Sequence, residues 1–396
     1  MLRVLTLSTL FPNAAQPTFG PFVERQTLGL AAHPGVEVEV VAPVGVPPWP
    51  LALHPRYRER QRLPLREEWK GLVVHRPRFP IVPGFGARWN ARLLASALLP
   101  LLRETRARFP FDVINAEFFW PEGPAAMRLA SALGVPFSIT ARGSDIQYWM
   151  SRPAARSQIV EAGQAAGGLL AVSQALGRVM VANGLPAERI RTHYTGVDRS
   201  LFRPRERSAA KAQFGVSGPL VATVGALIPG KGQRDAIAAV EKIPEATLLL
   251  AGDGPDRRAL ETMIGARGLG QRVRLLGDIS REEVAVLLAA ADVMVLPSRS
   301  EGLANVWVEA LVSGTPVVTC DVGGASEVID RPAAGALVPP DPDAIAAAIV
   351  AILADPPEPA LVREAAAKFS SEAKIARLYA HLSAIAASAK PLNPAA

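Results

Sequence analysis

The sequence predicts an α/β protein made of two Rossmann-like, doubly wound domains. Three observations carry this expectation. The chain has 396 residues, room for two cores at roughly 100–200 residues per domain. Short β-branched runs alternate with helix-like stretches along most of its length, the pattern of parallel sheets with helical crossovers. Midway, DRSLFRPRERSAAKAQFG interrupts that alternation with charge and proline.

In the first half, strands are expected at Arg3 to Leu7, Val36 to Val41, Leu72 to His75, Asp112 to Asn115, Phe137 to Thr140, Gly168 to Val172 and Arg191 to Tyr194. In the second half they are expected at Leu220 to Gly225, Thr247 to Ala251, Val273 to Leu276, Val293 to Leu296, Pro316 to Thr319 and Ala336 to Val338. The domains then span 1–198 and 218–370, joined by a linker at 199–217. Ser371 to Ala387 reads as a helix, with Ile375, Leu378 and Leu382 at roughly helical spacing. This helix, 371–388, is expected to cross to the N-terminal domain, because the alternating series of its own domain has finished. The Ala/Pro tail beyond it is expected to be disordered.

Composition narrows the function classes. With 49% hydrophobic and 20% charged residues, and Gly and Pro spread without a repeat, the chain is neither fibrous nor disordered. The single Cys320 excludes an intramolecular disulfide or a cysteine metal cluster. No run approaches the roughly 18 apolar residues of a membrane span, and VLTLSTLF is read as a first core strand rather than a signal segment. A cytoplasmic protein is expected, with a peripheral place on the inner membrane face.

The net charge of +7 is unevenly spread: residues 1–200 hold 23 Lys/Arg against 14 Asp/Glu, while the remainder is slightly acidic. Residues 56–108 carry 13 basic and 4 acidic residues, interleaved with Trp69, Phe79, Phe85 and Trp89. This stretch is read as a face for an anionic membrane surface, against the plainer alternative of a solvated basic face. No recognisable nucleic-acid module accompanies it, so a nucleic-acid partner is not expected.

In open α/β sheets ligands bind beyond the carboxyl ends of the strands, so the polar residues after each strand matter most. VATVG is followed by ALIPGKGQ, which puts Gly225, Gly230, Lys231 and Gly232 at a strand-to-helix turn. Backbone amides at such a turn hold phosphate and Lys231 adds a charge; plain turn chemistry is the competing reading. TLLLAG ends in a second tight turn, Asp253-Gly254-Pro255. After the strand ending at Pro297, Glu301 stands before a helix expected to begin near Ala304 or Asn305, with Glu309 about one turn inside it. The loop amides offer donors to an anion and the two carboxylates accept from sugar hydroxyls; capping and surface charge are the alternative. Gly323-Gly324 and Glu327 repeat the pattern of turn plus acid after the next strand. His33, His54, His75, His193 and His381 are scattered without paired spacing, so no metal site is expected.

Taken together, EGLANVWVEALVSGTPVV, VGALIPGKG, LLLAGDGP, LPSRSEG and GGASEVI resemble the EX7E-type retaining glycosyltransferases of family GT4, with the GT-B fold. PTFGPFVERQ, ITARGSDI and YTGVDRSLFRP agree in order and spacing, so the resemblance covers nearly the whole chain. It implies two Rossmann-like domains facing a central cleft, with the donor held mainly by the C-terminal one. It also implies transfer of a sugar, expected to be a hexose, from a UDP- or GDP-sugar to a glycan or polyprenyl-linked acceptor. No metal or other cofactor is implied, since lysine and amides replace a divalent ion. Residue by residue, Glu309 resembles the acid on the donor ribose, Glu301 the acid facing the transferred sugar, and Lys231 the phosphate-binding lysine. Gly20 resembles the N-terminal loop glycine over the donor, and Gly225, Gly254, Gly302, Leu303, Ala304 and Asn305 complete the implied donor site.

Two positions depart from the family pattern. Ala226 stands where many members have an arginine, so a second phosphate cation is either missing or comes from elsewhere, Arg234 being one candidate. Arg142 stands where many have histidine; it stabilises charge but is no general base near neutral pH. The ARGSDI form resembles a subgroup of cell-surface polysaccharide synthesis. A catalytically weak binding protein and a nucleotide-sugar epimerase remain the alternatives.

Overall fold

The computed structural model describes residues 1–17, 19–82, 84 and 86–388. Phe85 and the tail 389–396 lie outside the described residues. The chain divides into two units, one of Met1–Gly196 joined by the helix Ser371–Ser388, the other of Val197–Ser370.

The sheet of the first unit runs in the order Ile190–Thr192, Gly168–Ala171, Phe137–Ala141, Val113–Ala116, Leu2–Leu7, Val36–Val41, Leu72–His75, Arg66–Trp69. Neighbours pair in parallel, except for the antiparallel Arg66–Trp69 edge. The order reverses beside Leu2–Leu7: the chain first winds to Val36–Val41, then returns on the other side at Val113–Ala116. Leu378, Leu382 and Ile385 of the C-terminal helix pack on Leu2, Val4, Val36, Val113 and Leu170 of this sheet. Each such buried side chain is worth roughly 1.5–3 kcal/mol, which explains why the helix belongs with the first unit. Lys374 also donates to the Thr195 carbonyl at 2.8 Å.

The second unit carries an all-parallel sheet in the order Val273–Gly277, Thr247–Ala251, Leu220–Val224, Val293–Val295, Val317–Thr319, Gly335–Leu337. Successive side chains of a strand point to opposite faces. Accordingly Val221, Leu248 and Leu250 join one core cluster, and Leu220, Ala222, Leu249 and Ala251 another. With helices on both faces, the strands are apolar throughout rather than alternating. Here the order reverses between Leu220–Val224 and Val293–Val295.

Three readings need correction. The segment 199–217, read as a linker, is built into the second unit: Phe202 is fully buried, and Ala210 and Val216 join its core, with a helix at Arg207–Ala212. Strands at Val44–Val46, Arg66–Trp69 and Arg78–Pro80 were not expected. Nor is the basic stretch 56–108 one face. Arg76 is buried against Glu67, Arg78 and Arg106 donate to the Leu63 and Leu133 carbonyls, and Arg108 pairs with Glu39 at 2.5 Å. Phe79 is buried, and Trp69 donates its ring N–H to Glu24. Folding consumes these groups because strands and helix ends leave carbonyls and carboxylates that need donors.

Candidate active site

In doubly wound sheets the crevice at the strand-order reversal is the natural ligand site. In the second unit, two loops leave the strands at that point. One follows Leu220–Val224 and carries Gly225, Ala226 and Lys231; the other follows Val293–Val295 and carries Arg299 and Glu301. Lys231 Nζ lies 2.5 Å from Glu301 Oε1. Both side chains are largely shielded from solvent, at 25% and 11% exposure. The loops are also joined through their backbones, since the Arg299 N–H donates to the Gly230 carbonyl at 2.7 Å.

Gly232 makes this approach feasible. It caps the helix Gln233–Glu241 with φ +79, and a Cβ there would stand 2.2 Å from the Pro297 carbonyl oxygen. Only glycine adopts that conformation without a steric penalty. Gln233 donates to the Ala226 carbonyl at 2.9 Å. The turn bearing Gly254 closes on the same loop, as Leu227 N–H donates to the Asp253 carbonyl at 3.0 Å and Asp256 N–H to the Leu227 carbonyl at 3.0 Å. Gly225 N–H is held by the Ala251 carbonyl at 2.9 Å.

After Glu301, Gly302 accepts the Gly324 N–H at 2.9 Å, Leu303 and Ala304 are buried, and Ala304 caps the helix Asn305–Val312. The acid pair therefore sits as the sequence placed it, Glu301 before the helix and Glu309 within it. Asn305 Oδ1 and Ser298 Oγ are buried here without a hydrogen-bond partner among the described residues. Glu309 is buried, and its Oε1 meets Arg281 Nη2 at 3.1 Å; that guanidinium also lies over the Phe202 ring at 5.1 Å. Arg234, the suggested replacement for a cation at Ala226, is exposed; Arg299 is exposed as well, with its backbone beside Gly230 and its guanidinium 3.2 Å from Asp235. No group of three or more metal-ligating side chains occurs among the described residues.

The chain has the family it resembles. Residues 204–371 match the family model of glycosyl transferases group 1, and residues 22–201 match that of glycosyltransferase family 4. A Bacillus subtilis (strain 168) glycosyltransferase, TuaC, whose name assigns it to teichuronic acid biosynthesis, is 30% identical over 88% of each chain. The chain belongs to glycosyltransferase family 4. A 2-deoxystreptamine glucosyltransferase of Streptomyces kanamyceticus is 29% identical over 75% of this glycosyltransferase and 83% of its own length. Among solved structures, sucrose-phosphate synthase from Thermosynechococcus elongatus shares the fold with a TM-score of 0.76 at 23% identity, covering 98% and 97% of the two chains. Anabaena Alr3699/HepE in complex with UDP-glucose shares it with a TM-score of 0.72 at 21% identity, covering 97% and 100%. The fold is GT-B.

The first unit of this glycosyltransferase has its own polar cluster at the strand-order reversal. Gly20, at φ +70, starts the helix Pro21–Ala31, and a Cβ there would stand 2.3 Å from the Leu10 carbonyl oxygen. The loop after the first strand thus requires glycine at this position. Arg142 is buried rather than presented: its guanidinium pairs with Glu117 and lies over the Phe22 ring at 4.9 Å. Gln26 and Asn115 also donate to Glu117 Oε1, each at 2.6 Å. The charge of Arg142 is thus met by Glu117 inside the unit.

Asp145 accepts from the N–H groups of Phe119, Arg142 and Gly143 at 2.8–3.0 Å, and burial pushes its pKa up. Glu122, fully buried, accepts from both the N–H and the hydroxyl of Thr9 at 2.8 and 2.6 Å; burial raises it to about 7. Burial likewise lowers His193 to about 3. Sequence reasoning missed Glu117, Glu122, Arg281 and Arg299. The signal for Glu117 was available, a lone acid directly after the apolar strand Val113–Ala116.

Proposed function

We propose that this chain is a retaining glycosyltransferase that moves a sugar from a UDP- or GDP-sugar to a glycan or polyprenyl-linked acceptor in cell-surface polysaccharide synthesis. The observation that carries it is the contact of Lys231 with Glu301 at the strand-order reversal of the second unit. An ammonium group and loop amides suit a diphosphate, and a carboxylate suits the hydroxyls of the attached sugar. Charge develops on the diphosphate as it leaves, so Lys231 stabilises the transition state more than the ground state. Arg299 supplies the second cation that Ala226 lacks. Glu309, oriented by Arg281, accepts from the ribose hydroxyls. Gly20 keeps the first unit's loop close to the Leu10 carbonyl, as a donor-side loop glycine would. Lysine and amides do this without a divalent ion.

The names of relatives support the finer points. The glucosyltransferase relative and the UDP-glucose complex of Alr3699/HepE support a nucleotide-sugar donor, and the name of TuaC supports a cell-surface polymer. The acceptor would be met in the cytoplasm at the inner membrane face. A panel of UDP- and GDP-sugars tests the donor: one at 100 times its Kd stabilises the protein by about 2.7 kcal/mol. The anomeric configuration of the product, read by proton NMR with the identified donor, tests retention. Inversion, or free epimerised sugar from donor alone, would overturn the proposal.

A further inference from the structure

Residues 49–65, WPLALHPRYRERQRLPL, place four large apolar side chains in water. Trp49 is 79% exposed, Leu51 50%, Leu53 51% and Leu65 67%. A single exposed leucine is ordinary, but a run of them with a tryptophan marks an interaction site. The segment is held in shape. Leu53 N–H donates to the Pro50 carbonyl at 3.0 Å, and Gln61 Nε2 to the Ala52 carbonyl at 2.9 Å, which ties the turn Leu51–Leu53 to the helix Pro55–Gln61. Arg78 donates to the Gln61 carbonyl at 3.0 Å and fixes the helix end. Arg58 and Arg62 are exposed, and Glu59 is the only acid among these residues. The side chain of Arg56 lies outside the described residues.

We propose that this segment docks the first unit on an anionic lipid bilayer. Tryptophan and leucine enter the headgroup boundary, while arginines keep their charge at anionic headgroups. Charge complementarity selects the occupant, since exposed Arg58 and Arg62 stand beside the exposed Trp49, Leu51 and Leu53, whereas Arg76, Arg78, Arg106 and Arg108 are held by internal carbonyls and carboxylates. Tyr57 and Arg60 of the same segment line a cavity of about 260 Å³ with Phe11, Asn13, Phe19 and Asn90, beyond the end of the first strand. Docking would bring that cavity to lipid-borne molecules. Only this last step rests on the acceptor class proposed above; lipid binding stands by itself.

The test uses the full chain and vesicles of phosphatidylglycerol in phosphatidylcholine, with pure phosphatidylcholine as control. Co-sedimentation at about 0.1 M salt is expected with the anionic vesicles and is lost at about 0.5 M. Trp49→Ser with Leu51→Ser and Leu53→Ser, and separately Arg58→Ser with Arg62→Ser, each lower the bound fraction about 10-fold or more, with unchanged circular dichroism. Brominated lipid quenches tryptophan fluorescence in the unaltered chain and ceases to do so in Trp49→Phe. No binding to anionic vesicles, binding unchanged in the variants, or a self-association that the serine variants abolish would each overturn the proposal. Donor binding that survives such a result leaves the transferase reading standing.

Discussion

Lys231 Nζ and Glu301 Oε1 lie 2.5 Å apart, so the lysine charge is met by the acid we propose to face the transferred sugar. A diphosphate would compete with Glu301 for that ammonium. Glu301→Gln removes the competitor, and the nucleoside diphosphate product is expected to bind about 3-fold or more tighter while turnover falls about 100-fold or more. Calorimetric titration beside steady-state kinetics separates the two effects. Weaker product binding in Glu301→Gln would show that the acid contributes to diphosphate affinity instead.

Glu309 should read the ribose, with Arg281 holding it in place at 3.1 Å. A hydrogen bond to a charged group is worth about 1.5–3 kcal/mol, so Glu309→Ala should raise the donor KM about 10- to 100-fold with little change in kcat. Arg281→Met should do the same more weakly. Both variants should lose most of their penalty when the 2′-deoxy donor replaces the ribose form. A constant penalty for Glu309→Ala on both donors would remove Glu309 from the ribose; a constant penalty for Arg281→Met alone would remove only its positioning part.

Arg142→Ala should unfold the first unit readily. It strands Glu117, whose side chain is 1% exposed, as a buried charge, at a cost of about 3–5 kcal/mol. Arg142→Met with Glu117→Gln should recover much of that loss, because Gln26 and Asn115 still find a carbonyl oxygen to donate to. Urea denaturation of the two variants measures the difference, and full stability in Arg142→Ala would contradict the buried pair.

Glu122 makes stability depend on pH. Its carboxyl titrates near 4.5 in the unfolded chain and at about 7 when folded, because burial penalises the charge. Between those values the unfolded chain has lost a proton that the folded chain keeps, so stability falls as pH rises, by about 3 kcal/mol in all. Glu122→Gln still accepts from Thr9 and does not titrate. It should match the unaltered chain near pH 4.5 and exceed it by about 3 kcal/mol at pH 8 in urea denaturation. A gap that fails to widen with pH would contradict the buried carboxyl.

Parallel strands buried on both faces, such as Leu220–Val224 and Thr247–Ala251, were legible because short continuous apolar runs between helical stretches have few other uses. Arg66–Trp69, REEW, was not, since a polar antiparallel edge strand lacks that signal, and Val44–Val46 and Arg78–Pro80 are too short to show a period. Lys231 and Glu301 could be named from motifs, but their meeting across 70 residues needs the strand order. Arg281 opens a helix after the Ser280 capping box and reads as surface charge; only packing brings it to Glu309. The basic stretch misled because composition counts cations without showing which of them carbonyls and carboxylates absorb.

The assignment of Lys231 to the donor diphosphate is tested most directly by titrating Lys231→Ala and the unaltered chain with the nucleoside diphosphate that the donor panel identifies. Loss of a charge-assisted hydrogen bond predicts a Kd about 10- to 100-fold weaker, and turnover reduced by about 100-fold or more, with a thermal midpoint of the empty protein little changed. An unaltered Kd and turnover in folded Lys231→Ala would contradict it.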